Sequence, residues 1–319
     1  TIESALDRRG IIGNVMPEIG KNNYVRIKYS LPKVKPLVSV IIPIKDRVEL
    51  LKKCLDGLDT CNLYENYEVL IIDNGSTERS ALTFLDQLKK KKNYKIISIH
   101  GPFNYSKINN QAVNYAEGEL LLFLNNDVYP IHDCWLEEMV SHVLRKQVGC
   151  VGAKLLYEDN TIQHAGVILG IWGIAGHCFR RYPKTQPGYM TRLQLVQNYS
   201  AVTAACLLVK KDIFVSVSGF DEENLRVAFN DVDLSKVNKS IYQILVAPNI
   251  TSASNLEKDS YVLVMENVIR ELNKIRDDLQ AVPIKITDSD IKFNNVKFSY
   301  DLKDGDVLNS VNLNFEGGK

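Results

Sequence analysis

Residues 119–127 read ELLLFLNND, an apolar run that ends in two amides and a carboxylate, Asn125, Asn126 and Asp127. In open α/β sheets the carboxyl ends of strands line the ligand crevice, so polar side chains there can meet a ligand. Asp73, in the DNGS turn after a second apolar run, has the same placement. Asp231 and Asp233, in NDVDL, follow a capping Asn230 and fit the first turn of a helix, where carboxylates favour the dipole. His164 and His177 bracket a glycine-rich stretch. Each has a plain structural alternative. An Asp after a strand is most often a cap or turn residue, and a single His is more often a core or loop residue than a ligand.

The elements that must position these residues are legible in the pattern. Leu120–Leu124 is apolar throughout, too short for an ordinary helix, preceded by Gly118 and followed by Pro130. That suits a strand buried on both faces of a parallel sheet. Residues 37–42 (LVSVII, stopped by Pro43), 67–72 and 94–99 read as three earlier strands. Residues 48–58, 81–88 and 106–115 read as helices between them. The lysines at 89–92 read as a solvated helix end. Strand–helix alternation of this kind predicts an α/β fold with right-handed crossovers. Further on, residues 135–144 predict a helix, 150–156 and 242–247 predict strands, and 201–209 is another apolar run. Residues 261–279, with apolar steps of four and three, predict a long helix before Pro283.

This organisation gives a polar lead-in over residues 1–36, a main domain over 37–255 and a helical linker over 256–283. A small β-rich appendage follows over 284–319, with an Asp304-Gly305 turn. The balance of 39 basic against 38 acidic residues gives +1, which argues against a nucleic-acid partner. No apolar run reaches the roughly 18 residues that cross a bilayer, and the N-terminus has no signal-peptide pattern. Six scattered cysteines fit neither a zinc nor a redox motif. Free thiols in a reducing, cytoplasmic compartment are the expectation.

LVSVIIPIKDR, YEVLIIDNGST, GPFNYSKINNQAVNYAEGELLLFLNND and GFDEENLRVAFNDVDL together resemble the family 2 glycosyltransferases of GT-A fold. AKLLYEDNTIQHAGVILG and LQLVQNYSAVTAACLLV belong to the same pattern, which covers residues 37–248 in order. The likeness is greatest to bacterial enzymes that extend O-antigen and related surface polysaccharides, often described as rhamnosyltransferases. The resemblance implies a GT-A (Rossmann-like), mainly parallel sheet flanked by helices. It also implies transfer of a sugar from dTDP-rhamnose or a UDP-sugar, with inversion and with Mn²⁺ or Mg²⁺. Pro43, Asp46, Asp73 and Asn125 fall on nucleotide-binding positions, and Asp127 falls on the metal position. Asp231 falls on the catalytic base, since the amide of Asn230 cannot take a proton. His164, Trp172, His177 and Asp233 stand as donor or acceptor contacts, with Trp172 placed to stack on a sugar ring or to fill a core. A lipid-linked acceptor would bring the protein to the inner face of the membrane.

Two departures stand out. The family usually carries a histidine-containing segment after the last strand, and residues 247–254, APNITSAS, contain none. That leaves a catalytically impaired nucleotide-sugar-binding module or scaffold as the alternative. Residues 291–319 resemble the opening strands of an ABC-transporter ATP-binding domain, with Tyr300 at the adenine-stacking position. The sequence stops before a phosphate-binding loop, which fits a truncated or fused fragment or, as the alternative, a small β-rich appendage whose likeness is accidental.

Overall fold

The computed structural model of the chain describes residues 1–17, 25–171, 174–239, 243–254, 291–298 and 308–315. Trp172, the helix expected over 261–279, the Asp304-Gly305 turn and Tyr300 lie outside the described residues. In chain order the elements begin α1 (Ile2–Arg8), β1 (Gly13–Pro17), β2 (Val25–Tyr29), β3 (Val38–Ile44) and α2 (Val48–Thr60). Next come β4 (Tyr67–Asp73), α3 (Arg79–Leu88), β5 (Tyr94–Ser98), α4 (Tyr105–Val113), β6 (Leu120–Leu124) and β7 (Val128–Pro130). Then follow α5 (Trp135–Val143), β8 (Val148–Tyr157), β9 (Ile162–His164), β10 (Val167–Leu169), β11 (Ala175–His177) and β12 (Gln197–Asn198). The last are β13 (Cys206–Lys210), α6 (Lys211–Ser216), α7 (Asn230–Lys239), β14 (Gln243–Ser254), β15 (Ile291–Phe298) and β16 (Leu308–Phe315).

The continuous apolar runs become strands because both sheet faces are covered. Val38, Val40, Ile42 and Ile44 face one core cluster together with Leu120, Leu122 and Leu124. Ile41, Leu121 and Phe123 face the other. The period-two alternation of a strand therefore buries every residue of β6. The first core is covered by Leu51, Leu55 and Leu58 of α2 and by Trp135, Leu136, Met139 and Val140 of α5. The second is covered by Ile108 and Ala112 of α4 and by Phe214 and Phe220, whose rings both stand 5.0 Å from Phe123.

The central sheet has the order β12-β14-β8-β13-β6-β3-β4-β5, with β7 on β14 and β9 on β8. β3 pairs parallel with both β4 and β6, β4 with β5, and β14 with β8. β13 is inserted antiparallel between β6 and β8. The mainly parallel α/β sheet expected from the sequence is thus present, with an antiparallel strand beside its centre. Gly118 lets the chain enter β6 tightly against β3. A Cβ there would lie 2.6 Å from the Leu37 carbonyl oxygen and 2.7 Å from the Ser39 nitrogen.

Two stretches differ from the sequence reading. Residues 1–36, expected as a lead-in, carry α1 and the antiparallel β1–β2 hairpin. Arg26 of β2 pairs with the buried Glu138 of α5, and Tyr29 meets the His142 ring edge-on at 5.4 Å. A sequence separation of 112 residues hides such a contact from local patterning. Residues 201–209, read as one apolar run, form a strand only from Cys206 onward. The preceding backbone groups are engaged by the site described next. β15 and β16 pair antiparallel, in keeping with the alternating pattern read there.

Candidate active site

β3 sends its chain to β4 on one side, and the chain returns to β6 on the other. The carboxyl ends of β3, β4 and β6 therefore lie side by side at one edge of the sheet, the edge at which open α/β sheets bind their ligands. Pro43, Asp46, Asp73 and Asn125–Asp127 all fall at this edge. Ile44 is in register with Asp73, and Ile41 with Phe123.

On the β3/β4 side, Asp46 Oδ1 accepts from the backbone N–H groups of Thr77, at 2.7 Å, and Glu78, at 2.8 Å. These bonds, that from Glu78 foremost, hold its carboxyl below the usual range. Its own N–H donates to Ser76 Oγ at 2.9 Å. Asp46 and Arg47 both have positive φ, 56° and 50°, so the chain leaves β3 through a strained turn. Asp73 is buried and accepts from the Ser76 N–H at 2.8 Å. Both carboxylates thus shape the loop over residues 74–78.

Asn125 and Asn126 are partly accessible, while Asp127 is buried. Asn125 N–H donates to the Ala205 carbonyl at 3.0 Å, which ties the motif to the start of β13. Beneath it lies Cys54, whose thiol is pushed up and kept neutral by burial and by the nearby charge of Asp127. Ser252, Ala253 and Ser254 of β14 run antiparallel to Val128–Pro130, directly after Asp127. The segment that lacks a histidine is therefore the one placed beside this motif. Among the described residues no three His, Cys, Asp or Glu side chains gather into a metal centre. One carboxylate with neighbouring amides fits Mg²⁺ or Mn²⁺ arriving with a substrate diphosphate, since Mg²⁺ is commonly held by one or two carboxylates plus phosphates.

The segment 203–205 joins the remaining candidates. Ala204 N–H donates to Asp231 Oδ2 at 3.1 Å, and Val232 N–H to Asp231 Oδ1 at 2.8 Å. Asp231 lies in the first turn of α7 and stays partly accessible. Burial raises its pKa above the usual 3.8, against the opposing pull of the Ala204 and Val232 hydrogen bonds. Asp233, also in the first turn, is partly accessible. Tyr105 Oη donates to the Ala204 carbonyl at 3.1 Å and fixes the segment from the α4 side. Thr203 N–H points at His164 Nε2, 3.5 Å away, and His164 Nδ1 stands 3.0 Å from His177 Nδ1. The structure thus brings together Asn125, Asp231, His164 and His177 around residues 203–205. Asp46 and Asp73 stand on the far side of β3. Thr203 and Ala204 were not singled out from the sequence, because small residues in an apolar run carry no local signal of this role.

The family described as Glycosyl transferase family 2 matches residues 39–214. The chain belongs to this family. It is 45% identical over 215 residues to the uncharacterized protein y4gI of Sinorhizobium fredii, covering 67% of this chain and 24% of that protein. It is 41% identical over 213 residues to the O-antigen biosynthesis protein RfbC of Myxococcus xanthus, covering 66% of this chain and 16% of RfbC. The chain therefore spans a quarter or less of the length of these two relatives. In fold it is similar to the mannosyltransferase PcManGT from Pyrobaculum calidifontis, solved with GDP-Man and Mn²⁺. The TM-score is 0.55 at 16% identity, over 79% of this chain and 68% of that one. GalNAc-T7, solved with UDP, GalNAc and Mn²⁺, gives 0.59 at 13% identity, over 81% and 52%. The family 2 glycosyltransferase domain has the GT-A fold expected from its sequence.

Proposed function

We propose that this family 2 glycosyltransferase moves a sugar, with inversion, from a nucleoside-diphosphate donor to a growing surface-polysaccharide acceptor. Asp231 is the general base. It takes the proton of an acceptor hydroxyl as that oxygen's electron pair forms the bond to the anomeric carbon. The bond from that carbon to the diphosphate oxygen breaks, and its electrons leave with the diphosphate. Pro43, Asp46, Asp73 and Asn125 seat the nucleotide. Asp127 would hold Mg²⁺ or Mn²⁺, which when bound supplies positive charge to the leaving diphosphate. The observation that carries this reading is the accessible, pKa-raised carboxylate of Asp231, one hydrogen bond from a segment bonded to Asn125.

The O-antigen name of RfbC supports a polysaccharide acceptor and keeps dTDP-rhamnose or a UDP-sugar as the first donors to try. A lipid-linked acceptor at the inner face of the membrane, with the protein in the cytoplasm, suits the exposed Tyr189 and Met190. No helix among the described residues is long and apolar enough to cross a membrane. The second reading, an impaired nucleotide-sugar-binding module, is favoured by the histidine-free segment beside Asp127. Nucleoside-diphosphate release from dTDP-rhamnose and UDP-sugars, with Mn²⁺ and glycan acceptors, separates the two. Turnover supports transfer, whereas donor binding without turnover supports the module.

A further inference from the structure

His164 and His177 form a dyad whose hydrogen-bond directions follow from its surroundings. His164 is fully buried. Its Nε2 lies 3.3 Å from the Gly166 N–H and 3.5 Å from the Thr203 N–H. A backbone N–H can only donate, so His164 Nε2 is an acceptor and carries no proton. The neutral ring then holds its proton on Nδ1, which faces His177 Nδ1 at 3.0 Å. His177 Nδ1 must accept that proton's hydrogen bond, and the neutral His177 ring carries its own proton on Nε2. Gly166 is fixed in this role. Its φ is +103°, and a Cβ there would lie 2.4 Å from the Tyr199 ring. His177 closes the β10–β11 hairpin and stays exposed, so its free edge looks outward.

We infer that His164 locks His177 as a neutral Nε2–H donor aimed at a carbohydrate hydroxyl of the bound substrates. His164 is the positioning residue and His177 the substrate contact. This rests on the transferase reading for its ligand, but the lock itself does not. The dyad adjoins Thr203, next to the Ala204 that holds Asp231, on the opposite side of β6 from Asp46 and Asp73. That side is where sugar, rather than nucleobase, must lie. Protonating His177 would set two N–H groups against each other across 3.0 Å unless His164 gave up a proton, so the pair resists charging. Burial holds the His164 pKa well below the ordinary histidine range.

The first test needs no substrate. With five histidines in the chain, ¹⁵N imidazole spectra can be assigned by single substitution. His164 is expected as the Nδ1–H tautomer and His177 as Nε2–H, neither titrating between about pH 8 and 5.5. In His164→Leu, His177 is expected to show mixed tautomers and to titrate in the ordinary range. The opposite tautomer in either ring, or ordinary titration in wild type, overturns the lock. The second test uses dTDP-rhamnose and UDP-glucose against dTDP and UDP, with p-nitrophenyl glycosides as acceptors. If the hydroxyl belongs to the donor, His177→Leu weakens nucleotide-sugar binding about tenfold and leaves the free diphosphates unchanged. If it belongs to the acceptor, donor binding is unchanged and the glycoside KM rises about tenfold. His177→Gln, which places an amide N–H near the Nε2 position, restores either value to within about threefold. Equal weakening of the free diphosphates, or no change in any arm, overturns the substrate contact while leaving the spectroscopic result to stand alone.

Discussion

Replacing Asp231 by Asn removes the proton acceptor while keeping the shape of the side chain. A positioned general base contributes about 10²–10⁴ in rate, or about 3–5 kcal/mol of barrier. kcat is therefore expected to fall by at least about 100-fold. Structural damage would give a different pattern. The two Asp231 oxygens accept from Ala204 N–H at 3.1 Å and Val232 N–H at 2.8 Å. The amide keeps one acceptor and turns an N–H₂ toward the other donor, a cost of about 1–3 kcal/mol. Against this stands relief of the buried charge. The folded pKa lies above 3.8, so the native state binds more protons than the unfolded chain between those two values. Stability contributed by this group thus falls as pH rises through that window, and at neutral pH its ionised form is a burden that Asn lacks. The loss of rate should come with a melting temperature lowered by no more than a few degrees and with nucleotide affinity retained. In wild type, kcat should fall as pH drops through a pKa above 3.8, because the base must be deprotonated. Initial rates of nucleoside-diphosphate release across pH, beside thermal melts, measure all of these. A well-folded Asp231→Asn within tenfold of wild type would refute the assignment.

Three structural predictions accompany it. Glu68 accepts from Ser39 Oγ at 2.6 Å and Glu117 N–H at 2.7 Å and pairs with Lys95 at 2.7 Å. Burial opposes its ionisation, but Lys95, Ser39 and Glu117 outweigh it and hold the pKa below 4.5. Its contribution is present above that value and lost as pH falls through the folded pKa. Glu68→Gln should cost about 1–3 kcal/mol in urea unfolding at pH 7, with the difference shrinking below about pH 4. Gly118→Ala must push backbone apart at 2.6 Å and should destabilise by about 1–3 kcal/mol in thermal melts. Arg26→Met leaves Glu138 buried without its guanidinium partner and should cost about 2–4 kcal/mol by the same unfolding assay. A neutral Arg26→Met would show that the β1–β2 hairpin is dispensable to the domain.

The strands were legible because the α/β sheet is covered on both faces, so β6 stands out as an unbroken apolar run, and β3 and β4 as runs interrupted near their starts by Ser39 and Glu68. Asp73 and Asp127 drew notice for the same reason, since each is the first carboxylate after such a run. Asp46 was placed by family resemblance, and its carboxylate turns out to shape the Thr77–Glu78 turn at the same crevice edge. What the pattern could not give was the insertion of β13 beside β6. That pairing sets Cys206 opposite Leu124 and brings residues 203–205 to the edge, where they collect Asn125, Asp231 and His164. Antiparallel insertion depends on contacts between segments some 80 residues apart in sequence, for which a run of Ala, Val and Thr has no local signature. The N-terminal hairpin was missed on the same ground, since Arg26 reads as one more surface charge until Glu138 is seen beneath it.

The central claim is that the carboxyl edge of β3, β4 and β6 binds a nucleoside diphosphate with a metal held at Asp127. Calorimetric titration of dTDP and UDP, each with Mn²⁺ or with EDTA, into wild type and Asp127→Ala tests it most directly. Binding that requires Mn²⁺ in wild type and is lost in Asp127→Ala is the expected result. Binding of equal strength with EDTA, or unchanged by Asp127→Ala, would contradict it.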